Sequence, residues 1–103
     1  MTKETDRELL ELAAKAAGYE YAKHGGYIVV DGIPGNWNPL TDDGDALRLA
    51  VKLEIDLWFG CGGLSAHGLA MDIEEDYGRD PYAATRRAIV RAAASIGEQL
   101  CRT

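Results

Sequence analysis

A chain of 103 residues with 47% hydrophobic and 27% charged side chains has the size and balance of one globular domain and leaves no room for a second. Its 17 acidic against 11 basic residues give a formal net charge of −6, which repels nucleic acid at long range and favours basic or uncharged partners. Two cysteines, Cys61 and Cys101, in no CxxC or metal spacing indicate no disulfide framework, and no apolar run reaches signal-peptide or membrane-span length, so the expectation is a soluble, unexported, cytoplasmic protein.

Thr5-Asp6-Arg7-Glu8 has the form of a capping box, Leu9, Leu12, Ala13 and Ala16 recur at helical spacing, and Gly18 supplies a left-handed stop. A first amphipathic helix is expected over 6–17. Residues 19–23 alternate and 27–30 are apolar, mostly β-branched, with His24-Gly25-Gly26 between them, which reads as a β-hairpin. The Gly, Pro and Asn density of 31–36 reads as a loop that delivers Trp37 to the core.

After Thr41, Ala46, Leu47, Ala50, Val51 and Leu53 trace one face of a second helix. Residues 54–59 and 68–74 alternate, placing Ile55, Leu57, Phe59, Leu69, Met71 and Ile73 on one face of a second hairpin, with Trp58 on the other. The glycine-rich connection 60–67 is expected to be a mobile loop. Asp80-Pro81 is a strong helix start, and Tyr82, Ile89, Ala93, Ile96 and Leu100 form its apolar stripe; Gly97 reads as an interior weakness on the order of 1 kcal/mol against Ala. The fold class is therefore α+β, ordered α-β-β-α-β-β-α, a four-stranded mainly antiparallel sheet with three helices in one domain over 1–103.

No catalytic constellation emerges. Asp42-Asp43-Gly44-Asp45 crowds acids as a calcium site would, but the acids are adjacent and run into a helix, so capping by Thr41 or an Asp is the better account and no metal is expected. His24 and His67 have no Ser, Cys or Asp at a triad-like spacing; Cys61 and His67 share a loop too glycine-rich to hold a nucleophile against a base. The run 60–63 lacks the lysine of a phosphate loop, and no cofactor is implied. Asp72, Glu74, Glu75 and Asp76 read as an exposed acidic face able to dock on a basic partner or imitate the charge of nucleic acid. Arg86, Arg87 and Arg91 form the basic face of the last helix.

Residues 8–18 (ELLELAAKAAG), 37–50 (WNPLTDDGDALRLA) and 80–93 (DPYAATRRAIVRAA) together resemble the phage ABA (alpha/beta/alpha) sandwich domain family of bacteriophages and prophages. The resemblance spans nearly the whole chain apart from the two hairpins, and implies an α/β/α sandwich in a phage or prophage setting. It brings no activity with it. Small residues such as Ala22 and Ala70, with Trp58, would let a helix cover part of the second sheet face. The resulting expectation is a non-enzymatic accessory protein in a bacterial host, binding a host or phage protein through Trp58, Asp72, Glu74, Glu75 and Asp76, with homo-oligomerisation through Trp58 open. The alternatives are nucleic-acid association through Arg86, Arg87 and Arg91, and a small enzyme built on the Cys61/His67 loop.

Overall fold

A computed structural model describes residues 5–22, 26–30 and 32–101; Lys23, His24, Gly25 and Asp31 lie outside the described residues, so the expected His24-Gly25 turn is not described. The chain folds as α1 (Asp6–Ala17), β1 (Glu20–Tyr21), β2 (Tyr27–Val30), β3 (Ile33–Asn36), α2 (Asp43–Lys52), β4 (Asp56–Phe59), β5 (Gly63–His67), β6 (Asp72–Asp76) and α3 (Pro81–Cys101). The class is α+β with three helices in a single compact domain, its radius of gyration 13.0 Å. The strands form two three-stranded antiparallel sheets, β1-β2-β3 and β4-β5-β6, in place of one sheet of four.

Two strands account for the difference. Ile33–Asn36 is a strand and not a loop, because it lies at a sheet edge. The Trp37 amide donates to the Gly26 carbonyl, which sets a ladder phase that turns Pro34 toward the open side, where a missing N–H leaves no bond unmade. Residues 63–67, expected within a mobile loop, form the middle strand of the second sheet. The Gly60 amide donates to the Gly63 carbonyl at 2.8 Å, so the connection shrinks to the two-residue turn Cys61-Gly62. Gly63 belongs there for a steric reason: a Cβ would collide with the Glu75 carbonyl of the adjoining strand. Leu69 and Met71, expected on a core face, sit in the β5–β6 turn and are exposed.

The helices begin as their sequences dictate. The Thr5 hydroxyl accepts from the Glu8 amide, the Glu8 carboxylate accepts from the Thr5 amide, and Gly18 closes α1 at φ 79°. Asp42 caps α2 by accepting from the Asp45 amide at 2.8 Å. Asp80 accepts from the amides of Tyr82 and Ala83, the first donors past Pro81. Glu54, expected to open a strand, instead ends α2 in the left-handed region (φ 53°), while the Ile55 amide reaches back to the Ala50 carbonyl.

α3 is the element on which the others meet. It packs most extensively against α1, and also against α2, β5 and β6. The seams are rich in alanine: Ala13, Ala14 and Ala17 of α1 and Ala88, Ala92, Ala93 and Ala94 of α3 are all buried, and Leu64, Ala66 and Ile73 bring the second sheet to the same core. Trp37 is buried as expected, with Tyr19 and Tyr21 edge-on to its ring at centroid distances of 5.9 and 6.0 Å. No helix among the described residues is long and apolar enough to cross a membrane.

Candidate protein-binding surface

Alternation along a pleated strand sends neighbouring side chains to opposite faces, and the ladder register carries each face across the sheet. In β4-β5-β6, Leu57 aligns with Ala66 and Ile73, and Phe59 with Leu64 and Glu75; this face turns toward α3. The outer face carries Asp56, His67 and Asp72 in one row, Trp58, Ser65 and Glu74 in the next, then Gly63 and Asp76. Trp58 is 67% exposed, so no helix covers it, contrary to the partial cover expected there. The clean alternation of these strands is thus the pattern of a sheet with one solvated face.

The outer face is internally ordered. The Asp72 carboxylate lies 2.9 Å from His67 Nδ1, the Ser65 hydroxyl lies 3.1 Å from His67 Nε2, and the indole of Trp58 meets the imidazole edge-on at 5.6 Å. His67 therefore does have a serine and an aspartate in place, against the expectation from spacing. Both come from strand geometry, Ser65 two residues back on the same face and Asp72 directly across the ladder, and only recognition of 63–67 as a strand could have found them. The connectivity is that of a nucleophile, base and acid, but the setting opposes acyl transfer. Ser65 is aligned with the carboxylate-bearing Glu74, which repels a developing oxyanion, and the Ser65 amide is held in the ladder with β4 and unavailable to stabilise one. What the network does is fix the His67 ring, and through it one edge of Trp58. A shallow depression of about 500 Å³ runs from Trp58 past Ser65 to Glu74 and Asp76.

The predicted partner-binding residues separate into two groups. Trp58, Asp72, Glu74 and Asp76 share the outer face. Glu75 points inward, its side chain 19% exposed, and pairs with Arg91 of α3. Arg91 also donates to the Glu74 carbonyl at 3.1 Å, so one guanidinium closes the outer edge of β6.

The basic face of α3 is distributed among acidic partners on other elements. Arg86 binds the Asp43 carboxylate at 2.6 Å and the Leu40 carbonyl at 2.8 Å, and Arg87 binds Asp6 at 3.0 Å. Arg86, Arg87 and Arg91 thus tie α3 to α2, α1 and β6 and do not stand as a free cationic row. The acidic cluster at α2 is likewise committed: Asp42 caps, Asp43 holds Arg86, and Asp45 accepts from the Asn38 amide at 2.9 Å and from Arg48 at 2.8 Å. No group of three or more metal-ligating side chains occurs among the described residues. Cys61 sits exposed at the turn tip, while His67 ends β5, about 13 Å farther along the strand rise from Gly63, so the two cannot act together.

Two other depressions border α2. One, of about 440 Å³, lies under the outer edge of β4 and is walled by Leu47, Leu57, Phe59, Tyr77, Tyr82 and Ile89. The other, of about 590 Å³, faces the first sheet; its cations are engaged, Arg48 with Asp45 and Lys52 over the Tyr19 ring at 4.9 Å. Compared with protein-family models, with curated proteins and with solved structures, the chain finds no match.

Proposed function

We propose that this protein is a non-enzymatic phage or prophage accessory protein, acting in the cytoplasm of a bacterial host by binding another protein through the outer face of β4-β5-β6. The observation that carries the reading is the gathering of Trp58, Asp72, Glu74 and Asp76 on one uncovered face, with Trp58 held by His67. Tryptophan dominates interface energetics, and an aromatic fixed before binding loses less entropy when it is buried. The row of carboxylates beside it suits a basic partner surface, including one that ordinarily holds nucleic acid. The phage setting, and an α/β/α layering of the family kind, rest on the resemblance of 8–18, 37–50 and 80–93.

The test is affinity capture from a bacterial lysate with the wild-type chain and two variants, Trp58→Ala and a triple charge reversal at Asp72, Glu74 and Asp76. A protein identified with the wild type and lost from both variants supports the proposal. Equal recovery with all three overturns it.

A further inference from the structure

A sheet edge presents unpaired backbone groups, and proteins guard such edges with charge, proline, short length or a covering group. Among the described residues, three of the four edges here have a guard. β1 is two residues long, β3 carries Pro34, and β6 carries Asp72, Glu74 and Asp76 with Arg91 bonded to the Glu74 carbonyl. β4 carries one charge, Asp56 at its first position, and over 57–59 it has none of these. The Gly60 to Gly63 hydrogen bond sets the ladder phase so that Trp58 pairs inward with Ser65, and the N–H and C=O of Leu57 and Phe59 point out to the open side. The side chains along this edge are apolar and exposed: Trp58 67%, Phe59 63%, and beside them Leu47 60% and Tyr82 71% at the groove under β4.

We infer that β4 is a self-association edge, pairing antiparallel with β4 of a second copy of this chain to form one six-stranded sheet. The register follows from the free groups. Placing the two Trp58 residues opposite each other sets Leu57 against the partner's Phe59 and Phe59 against the partner's Leu57, and all four edge residues then hydrogen-bond. Shifting the centre to Leu57 places Phe59 against the partner's Ile55, whose amide is already held by the Ala50 carbonyl. Shifting it to Phe59 runs Leu57 into the partner's Cys61-Gly62 turn.

In the favoured register the partner's Phe59 lies over Leu57 at the mouth of the groove, and the two indoles adjoin at the centre of a shared outer face. Charge agrees with this arrangement. Asp56 falls opposite the partner's Gly60, so no like charges meet across the seam, and the two carboxylate rows stand five strand spacings apart, about 24 Å, well beyond the screening length at physiological salt. Burying Trp58, Phe59, Leu47 and Tyr82 of both copies removes roughly 1,000 Å² of surface, the size of a concentration-dependent dimer and not a permanent one.

Sedimentation of the purified chain alone tests this without any partner protein, so its outcome is separate from that of the capture experiment. The wild type is expected to move from monomer to dimer as concentration rises through the micromolar range. Phe59→Lys and Trp58→Lys, each introducing an edge lysine, weaken dimerisation by at least about tenfold with an unchanged circular dichroism spectrum. Glu20→Lys, on β1 of the other sheet, leaves it intact. The register is read with Trp58→Cys in a Cys61→Ser, Cys101→Ser background, which oxidises to a cross-linked dimer, whereas Asp56→Cys in that background does not. A chain monomeric at millimolar concentration overturns the inference, as does dimerisation undiminished in a folded Phe59→Lys or Trp58→Lys variant, or absence of the Trp58→Cys cross-link.

Discussion

Gly97 of α3 lies directly against the Leu12 carbonyl of α1, so close that a Cβ built on Gly97 would overlap that oxygen and its carbon. The missing side chain therefore sets the approach of the two helices that share the largest seam in the molecule. Read along α3 alone, the glycine is a weakness. Across the seam it is a requirement.

Gly97→Ala accordingly gains about 1 kcal/mol of helix propensity and loses more to displacement of α1. The expected net is destabilisation by about 1–3 kcal/mol, measured by urea denaturation, with Gly97→Leu unfolding the chain or nearly so. A rise in stability on Gly97→Ala would show that α1 moves aside freely.

Arg91→Ala strands the inward-facing Glu75 carboxylate and frees the Glu74 carbonyl, at an expected loss of about 1–3 kcal/mol. Glu75→Gln keeps a hydrogen-bond acceptor for Arg91 and should lose less. A double-mutant cycle over the pair should return a coupling of about 1 kcal/mol, whereas additive losses would mean that the two side chains act independently.

Glu54 adopts a left-handed conformation that strains any residue with a Cβ. Glu54→Gly removes that strain at the end of α2 and should stabilise the fold by about 0.5–1 kcal/mol, seen as a rise of several degrees in Tm. No rise, or a fall, would indicate that the side chain itself contributes to the cap.

The carboxylates at the start of α2 should prove structural. Asp42→Ala removes the N-cap and is expected to lower stability by about 1 kcal/mol. Millimolar calcium or magnesium should leave Tm unchanged, since an ion bound only by the native state would raise it. A calcium-dependent rise lost on Asp42→Ala would reverse this assignment.

The two tryptophans should differ in their fluorescence. Trp37, buried and boxed by Tyr19 and Tyr21, should emit to the blue and resist acrylamide, while the exposed Trp58 should emit to the red and quench readily. Single-tryptophan variants, Trp58→Phe and Trp37→Phe, separate the signals, and the latter should also lose about 2–4 kcal/mol of stability.

The legible parts of the sequence were those whose causes are local. Thr5 with Glu8, Gly18, the acids before α2 and Asp80 with Pro81 each determine a helix end through neighbours three or four residues away, so the helices stand where their sequences place them. The middle strand of the second sheet was not legible. Gly63 and Ala66 are small because the strand is pressed between two others and against α3, Ser65 and His67 are polar because they face the solvated side, and the resulting turn-like composition conceals the strand. Leu69 and Met71 misled in the opposite direction, since exposed apolar residues in a turn copy the alternation of a strand. At the candidate surface, the placing of Trp58 and of three carboxylates on the face opposite Leu57 and Ile73 followed from pleat alternation, whereas the exposure of Trp58 ran against the helix cover expected there. The inward turn of Glu75 toward Arg91 and the Ser65-His67-Asp72 chain depended on register, which long-range packing decides.

Each sheet is a meander of three consecutive strands, and the two sheets share no strand, so every strand pairing joins segments close together in sequence. The tertiary core is different, because its seams converge on α3, which follows every strand in chain order. A nascent chain can form its hairpins early, yet Leu9, Leu10, Leu64 and Ile73 have no cover until α3 has left the ribosome. The arrangement makes consolidation of this core wait for α3, and leaves a chain halted before Pro81 as a substrate for chaperones and proteases.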